Sequence, residues 1–439
     1  MKVRPTQFKS GRLLATLVLA TSLLHAAAAN PNPGIYPPGS LPDGKSYGSW
    51  NAAFWQWLLS IPGAQNPNED SSGKYSNQGQ SGPVWFLAGN FGDLSSPVSR
   101  SISVPFGKDL FLPVYPWIFG SCAGDCEPSN PGVTCDVPTL RQAAADAATS
   151  ILTGTMDVFI DGVQVKNVSQ YRAVSPNPFS VTLPENNVIQ LLGIPDAAGT
   201  YTPQVADGYC LLIRALPPGK HTISVHSINL NLGSDQTAVY NLTVEDPVLA
   251  GLQNVYWRSF YGQITLPKDA NGNNAVGPLV FMAVPNAPGD GTPGSINLTL
   301  RSDESFFLPL WNLLGNSYSD GTPDDPIFAL GIFQTLDLKL TLDGATLVNA
   351  ANLMEHYSEF NFLPPIPLGA SFAPANAFIR LQGISTLHGP LSPGNHVLHL
   401  DAKNTDSADL FGLTFDYHNT WNLTVSGRSA GNNITAQTE

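Results

Sequence analysis

Leu216-Pro-Pro-Gly-Lys-His221 is answered near the C-terminus by Leu391-Ser-Pro-Gly-Asn-His396, and Tyr240-Asn-Leu-Thr-Val244 by Trp421-Asn-Leu-Thr-Val425. A Pro-Gly turn, a strand and a closing strand that occur twice in the same order confine the chain to a duplicated β architecture. Successive side chains of a strand point to opposite faces. After the first turn His221, Ile223 and Val225 therefore share one face, while Thr222, Ser224 and His226 share the other. In the second copy His396, Leu398 and Leu400 share a face. The closing strands alternate too, with Tyr240, Leu242 and Val244, and then Trp421, Leu423 and Val425, directed inward. This is the pattern of an antiparallel sheet with one wet side.

Composition agrees with that frame. Only 12% of the 439 residues are charged, against 40 Gly and 38 Pro, a balance that suits a loop-rich β protein. The net charge of −13 opposes binding to nucleic-acid phosphates, which requires clustered Lys and Arg.

The N-terminus reads as an export signal over residues 1–29. Lys2, Arg4, Lys9 and Arg12 precede the apolar run Leu13 to Leu24, and Ala27-Ala28-Ala29 offers a small-residue cleavage site. After signal removal no membrane insertion is expected, since no later stretch approaches the ~18 apolar residues of a spanning helix. The expected location is periplasmic or extracellular. Export permits disulfides, and Cys122, Cys126, Cys135 and Cys210 are the candidates. Four cysteines allow three connectivities, and spacing does not choose among them. The Cys122–Cys126–Cys135 spacing could also suit a metal, but no histidine lies nearby, so no metal is assigned.

Residues 30–45 are too rich in Pro and Gly for a helix or central strand and read as an extended leader. Ser49 is placed as the N-cap of a helix whose Trp50, Phe54, Trp57 and Leu58 fall on one face, with Trp55 and Leu59 beside them. Such a helix either packs into the core or presents Trp50, Trp55 and Trp57 as an aromatic ligand site. Gly82 to Gly89 reads as the first core strand, and Ser101 to Pro113 as strand, turn, strand. Pro138 to Ile151 is expected to be helical, and Met156 to Val165 a hairpin centred on Asp161-Gly162.

The motifs WNAAFWQWLLSIP, NPNED.SG, Q.GPVWFLAG, VPFGKDLFLPV and DGY…LPPGKHTI…YNLTV, in that order, resemble a group of exported bacterial proteins. The resemblance covers residues 46–246. It implies an exported β-rich domain and carries no activity with it. The similar proteins tend to place an aromatic where Cys210 stands and a cysteine where Ser76 stands.

The second half repeats the first in outline. Gly277-Pro278 answers Gly82-Pro83, Phe-Leu-Pro309 answers Phe-Leu-Pro113, and Asp343-Gly344 answers Asp161-Gly162. Asp325 to Thr335 takes the place of the Pro138 helix. The expected organisation is two tandem antiparallel β-sandwich domains of jelly-roll-like topology, residues 46–246 and 247–428, with a few short helices and a polar tail over 429–439.

Chemistry is sparsely marked. His221 and His396 each follow a turn glycine by two residues, but their inward parity suits a histidine satisfied across the turn. No zinc-protease helix, nucleophile elbow or phosphate-cradling loop is present. A glycosidase needs only two acids across a cleft. The loop acids available are Glu69, Asp70, Asp93 and Asp207, then Asp303, Glu304, Asp320, Asp324 and Asp325. Asp269, Asn271 and Asn273 have the spacing of a calcium-loop start without its distal glutamate. The leading expectation is an exported, non-enzymatic envelope or matrix protein that binds glycan or another envelope protein, or builds a surface assembly. The alternative is an extracellular carbohydrate-active enzyme working through a pair of loop carboxylates.

Overall fold

In the computed structural model the described residues are 32, 34–89, 97–128, 130–231, 233–285, 289–404 and 414–427. The stretch read as an export signal, residues 1–29, the tail over 429–439 and Asp93 lie outside them. The chain is mainly β with few helices. The first half contributes β1 (Val84–Phe86), β2 (Val98–Val104), β3 (Asp109–Gly120), β4 (Thr155–Ile160) and β5 (Val163–Gln164). It continues with β6 (Phe179–Leu183), β7 (Gly199–Ile213), β8 (Gly219–Asn229) and β9 (Ser234–Val244). The second half holds β10 (Asn274–Val276), β11 (Leu279–Phe281), β12 (Asp290–Arg301), β13 (Ser305–Tyr318) and β14 (Asp337–Leu342). It closes with β15 (Ala345–Val348), β16 (Tyr357–Pro367), β17 (Ala375–His388), β18 (Gly394–Asn404) and β19 (Phe415–Ser426). The helices are α1 (Tyr47–Leu59), α2 (Val137–Ser150), α3 (Val188–Leu191), α4 (Pro247–Phe260) and α5 (Leu330–Gln334).

Each half builds two sheets, and the strand orders correspond. The first half has β1-β3-β7-β6 and β2-β9-β8-β4-β5; the second has β10-β11-β13-β17-β16 and β12-β19-β18-β14-β15. In the first half Phe111 and Leu211 of one sheet share a core with Ile223 and Leu242 of the other. Phe306, Leu308, Leu398 and Trp421 do the same in the second. These cores fall on either side of the expected boundary at 246/247, yet the described residues belong to one compact unit.

The sheets are mixed, which corrects the expectation of a wholly antiparallel, jelly-roll-like arrangement. β1 runs parallel to β3 and β2 parallel to β9, and the second half repeats both pairings as β11 with β13 and β12 with β19. The cause is a crossover: the chain leaves β1, joins the opposite sheet as β2 and returns as β3, as a parallel pair requires. Thus the strand-turn-strand read at Ser101 to Pro113 exists, but its two strands belong to different sheets. Alternation of side chains reports a face, not a direction.

Inward parity holds across both repeated units. Tyr240, Leu242 and Val244 are buried, as are Trp421, Leu423 and Val425. The two Asp-Gly turns take positive φ at both central residues, 50° and 77° at Asp161-Gly162 and 51° and 82° at Asp343-Gly344. That conformation matches the right-handed twist of the strands it joins, which is why Asp-Gly marks such hairpins.

Helix α1 begins earlier than expected. Its N-cap is Ser46, whose Oγ accepts the Ser49 N–H, so Ser49 is helical rather than the cap. The apolar face packs Phe54 on Phe111 (5.3 Å between centroids) and Trp57 on Phe86 (5.3 Å). Burying each such ring contributes roughly 1.5–3 kcal/mol, and this packing holds the helix in place. Residues 34–36 of the leader dock on the end of β7, where Tyr36 N–H donates to Leu212 O and Arg214 N–H to Gly34 O. The expected helix at Asp325 to Thr335 shrinks to α5, five residues long. Its N-terminal portion is taken up by Asp325, which accepts hydrogen bonds from Asn316 and Tyr318. Among the described residues no helix is long and apolar enough to cross a membrane.

Candidate functional site

A groove of about 420 Å³ lies between the halves. Its first wall is the wet face of the β2-β9-β8 sheet. There Ser101 pairs with Asn241 and Asn241 with Thr222, one exposed row across three strands. Neighbouring strands are ~4.8 Å apart, so the row is a ladder of hydroxyl and amide groups. Thr243 and Lys220 stand one step along it. The opposite wall is the turn Ala350 to Glu355 together with Gln334 of α5.

Cross-half bonds fix the two walls. Gln334 Nε2 donates to Ser101 O at 2.7 Å, and Lys220 Nζ meets Glu355 Oε1 at 2.5 Å. Nearby, Asn77 Nδ2 donates to Phe328 O (2.8 Å) and Gly331 N–H to Lys74 O (3.1 Å). His221 also lines the groove, but both ring nitrogens are engaged, Nδ1 with Asp161 Oδ2 (2.7 Å) and Nε2 with Pro217 O (2.9 Å). Its counterpart His396 meets Asp343 Oδ2 (2.6 Å) and Ser392 O (2.9 Å). Each histidine is therefore satisfied across its turn. His226 and His399 face outward, toward Asp235 and Asp401.

The candidate aromatics are core residues, with Trp50, Trp55 and Trp57 only 5%, 4% and 7% exposed. Trp50 Nε1 donates to Pro42 O and Trp57 Nε1 to Gln78 O. They do not form an exposed strip; Trp55 alone of the three edges a second, separate cavity. Of the candidate cysteines, Cys126 and Cys135 are bonded, while Cys122 and Cys210 are buried free thiols. Cys210 lies opposite Pro113 in the β3–β7 ladder, whereas Cys122 lies past the ladder's far end at Gly120–Gln204. That is six residues along a strand, roughly 20 Å at ~3.3 Å per residue, far beyond disulfide reach. Burial, and then the nearby Asp196 and Asp125, push the Cys122 thiol up to about 12.

The candidate acids are dispersed, and Asp207, expected in a loop, lies buried within β7. Asp207 is held by Arg172 through two hydrogen bonds, and Asp70 accepts from Ser72 and Tyr75. Asp303 and Glu304 engage Arg301, and Asp320 accepts from Thr322 N–H. At the calcium-like spacing, Asp269 accepts from Asn271 N–H and from both the N–H and Nδ2 of Asn273, so its carboxylate closes the turn. Among the described residues no group of three or more His, Cys, Asp or Glu is arranged to hold a metal.

Two features escaped the sequence reading. The groove's second wall did, because contacts between halves leave no local pattern. Helix α4 also did, although its signal was present: Asp246 caps it by accepting the Val248 N–H, Pro247 sits in the first turn, and Tyr256-Trp257-Arg258 echoes Phe54-Trp55-Gln56. It packs on β16 and β17 as α1 packs on β6 and β7.

No family model matches the chain, and no curated protein does. Among solved structures it is similar to a chimeric titin Z1Z2 functionalised with a KLER exogenous peptide from decorin, at 13% identity and a TM-score of 0.15, over 62% of this chain and 82% of that one. It is also similar to the fibronectin(III)-like modules of Clostridium thermocellum CbhA, at 9% identity and a TM-score of 0.13, over 62% and 77%. PbICP-C, solved in complex with falcipain-2, gives 14% identity and a TM-score of 0.16, over 34% and 98%. At those TM-scores the likeness assigns neither fold family nor function.

Proposed function

We propose that this chain is an exported, non-enzymatic envelope or matrix protein built of two β-sandwich domains from an internal duplication, and that it binds glycan in the groove between them. The observation that carries the reading is the lining. The Ser101–Asn241–Thr222 row and Thr243 face Gln334 and Asn352 across about 420 Å³, within the ~300–1,000 Å³ span of small-molecule sites. A polyhydroxylated ligand leaves water at little loss only where each hydroxyl finds a replacement partner. Hydroxyl and amide side chains act as both donors and acceptors, so they meet that demand without fixing a charge. The bonds between the walls pre-shape the groove, which lowers the ordering cost of binding. The matching strand orders and shared cores support the duplication, and the Cys126–Cys135 disulfide accords with an oxidising compartment.

The carbohydrate-active alternative needs two acids facing one cleft. Glu355 lines the groove in an ion pair with Lys220, and a second acid would have to approach it. A glycan array probed with the mature chain, with reducing-sugar release assayed on every hit, tests both. Binding that falls at least tenfold in Thr222→Ala and Asn352→Ala supports the proposal. Silence across the array, or binding indifferent to both variants, overturns it. Turnover lost in Glu355→Gln replaces it with the enzyme.

A further inference from the structure

A second cavity, of about 360 Å³, lies within the first half and is more apolar than the groove. Helix α1 supplies Phe54, Trp55 and Leu58, and β3 supplies the run Pro113 to Phe119. A β-bulge places Val114 as an extra residue between Pro113 and Tyr115. Such a bulge re-aims the side chains that follow it. Tyr115, Trp117 and Phe119 come next, Tyr115 and Trp117 edge-to-face at 5.7 Å and Trp117 stacked with Phe119 at 6.0 Å. The wall is thus largely apolar, with five aromatic rings and the two amides Asn68 and Gln236, and among its described residues there is no Lys, Arg or His.

One carboxyl interrupts it. Asp125 lines the cavity and accepts the Gly120 N–H at 3.0 Å, which fixes the carboxyl and leaves its second oxygen outside that bond. Burial, and then the nearby Asp196 carboxylate, raise its pKa to about 6 against that hydrogen bond. Near neutral pH it is therefore mostly ionised, though its charge is incompletely solvated. Asp196 itself accepts the Ala123 N–H at 2.7 Å. Cys122, also in the lining, stays a neutral thiol.

We infer that this cavity binds an organic ammonium ion, with aromatic faces around the cationic head and Asp125 as its counter-ion. Ring quadrupoles attract a cation most strongly where water is excluded, and a carboxylate without a basic neighbour in the same cavity lacks a counter-charge. An anionic ligand would be repelled by Asp125, with Asp196 close behind it. A neutral apolar ligand would leave Asp125 desolvated without a counter-charge. The inference does not depend on the groove, which takes a different ligand.

Choline and its uncharged isostere 3,3-dimethyl-1-butanol are the probes, titrated into the full mature chain by calorimetry and tryptophan fluorescence. Choline is expected to bind at least tenfold more tightly than the alcohol. Asp125→Asn, which retains an acceptor for the Gly120 N–H, is expected to lose at least tenfold in choline affinity with the alcohol unchanged. Choline binding should also weaken below about pH 6, as Asp125 gains its proton; Asp196, Cys122 and Tyr115 are the other titratable groups around it. Equal affinity for the two probes, or choline affinity unmoved in Asp125→Asn, overturns the assignment. If that variant fails to fold, the ratio of the two probes on the parent protein decides alone.

Discussion

His396 Nδ1 lies 2.6 Å from Asp343 Oδ2, tying the Pro-Gly end of one hairpin to the Asp-Gly turn of its neighbour. Its Nε2 faces Ser392 O at 2.9 Å. A carboxylate and a carbonyl can only accept, so the ring is best satisfied with a proton on both nitrogens. The pair Asp161–His221 repeats the arrangement in the first half. The recurrence marks a structural clasp.

Titration of that clasp is measurable. Hydrogen bonds to Asp343 and Ser392 raise the His396 pKa, and bonds from His396 and Val397 N–H lower that of Asp343. The histidine's contribution is full below its unfolded value and lost as pH rises through the folded one. The aspartate's is full above its unfolded value and lost as pH falls through the folded one. Both are present between about pH 4 and pH 6.5. His396→Gln should therefore destabilise by about 0.3–1 kcal/mol in that window, as an exposed, solvent-screened pair allows. Above the folded histidine's pKa the difference should shrink. Urea unfolding across pH is the check, and a pH-independent difference would refute a charged clasp.

Thiol chemistry gives a second expectation. Cys122 and Cys210 are each at most 1% exposed, and burial pushes both thiols up, Cys122 to about 12. The thiolate is the reactive form. Native protein at pH 8 should resist alkylation, and denaturation without reductant should release two reactive thiols. Rapid native labelling of Cys122 would show that the cavity beside α1 opens to reagent.

What the sequence disclosed and what it hid divide along one physical line. The Tyr240 and Trp421 strands, the Asp-Gly turns and the satisfied histidines were legible because strand parity and turn chemistry are local. The parallel pairing of β2 with β9 was not, because a strand reads alike in either direction. Burial of Trp55 and Trp57 could not be separated from exposure, since a helix apolar on most sides fits both outcomes. Of the groove, the outward placing of Thr222 and Asn241 was implied by parity; the addition of Ser101 to that row and its apposition to Gln334 and Asn352 depend on how strands and halves meet.

Trp421 tests the second core. It is fully buried, and its Nε1 donates to Ala283 O at 2.7 Å. Trp421→Ala removes the ring and leaves that carbonyl without its donor, costing about 3–5 kcal/mol. Trp421→Phe should cost less, since most of the ring volume stays. Calorimetry should show a lowered transition for both, with the alanine variant clearly the lower. Equal effects would mean that the hydrogen bond, not the packing, dominates.

The junction between halves contains a buried acid, Glu245, and a half-buried one, Glu359. Glu245, just past β9, accepts from Ser103 Oγ at 3.2 Å and from Glu359 N–H at 3.1 Å. Glu359 in β16 accepts from Tyr357 OH (3.0 Å) and Gln382 Nε2 (3.2 Å), with Asn77 Nδ2 at 3.5 Å. Burial raises both carboxyls, and Glu359 raises Glu245 further. A raised acid contributes stability below its unfolded pKa, and that contribution is lost as pH rises through the folded value. The junction should therefore weaken toward alkaline pH. Glu245→Gln keeps an acceptor for Glu359 N–H and a group that can bond Ser103, while removing a charge that must otherwise be desolvated. It should leave stability unchanged near pH 4 and raise it at pH 8 by about 1–4 kcal/mol, the gain seen where buried ion pairs are replaced by uncharged groups of similar volume that pack well. Thermal melting at the two pH values reads the difference directly. A variant that lost stability at pH 8 would mean that the ionised Glu245 holds the halves together.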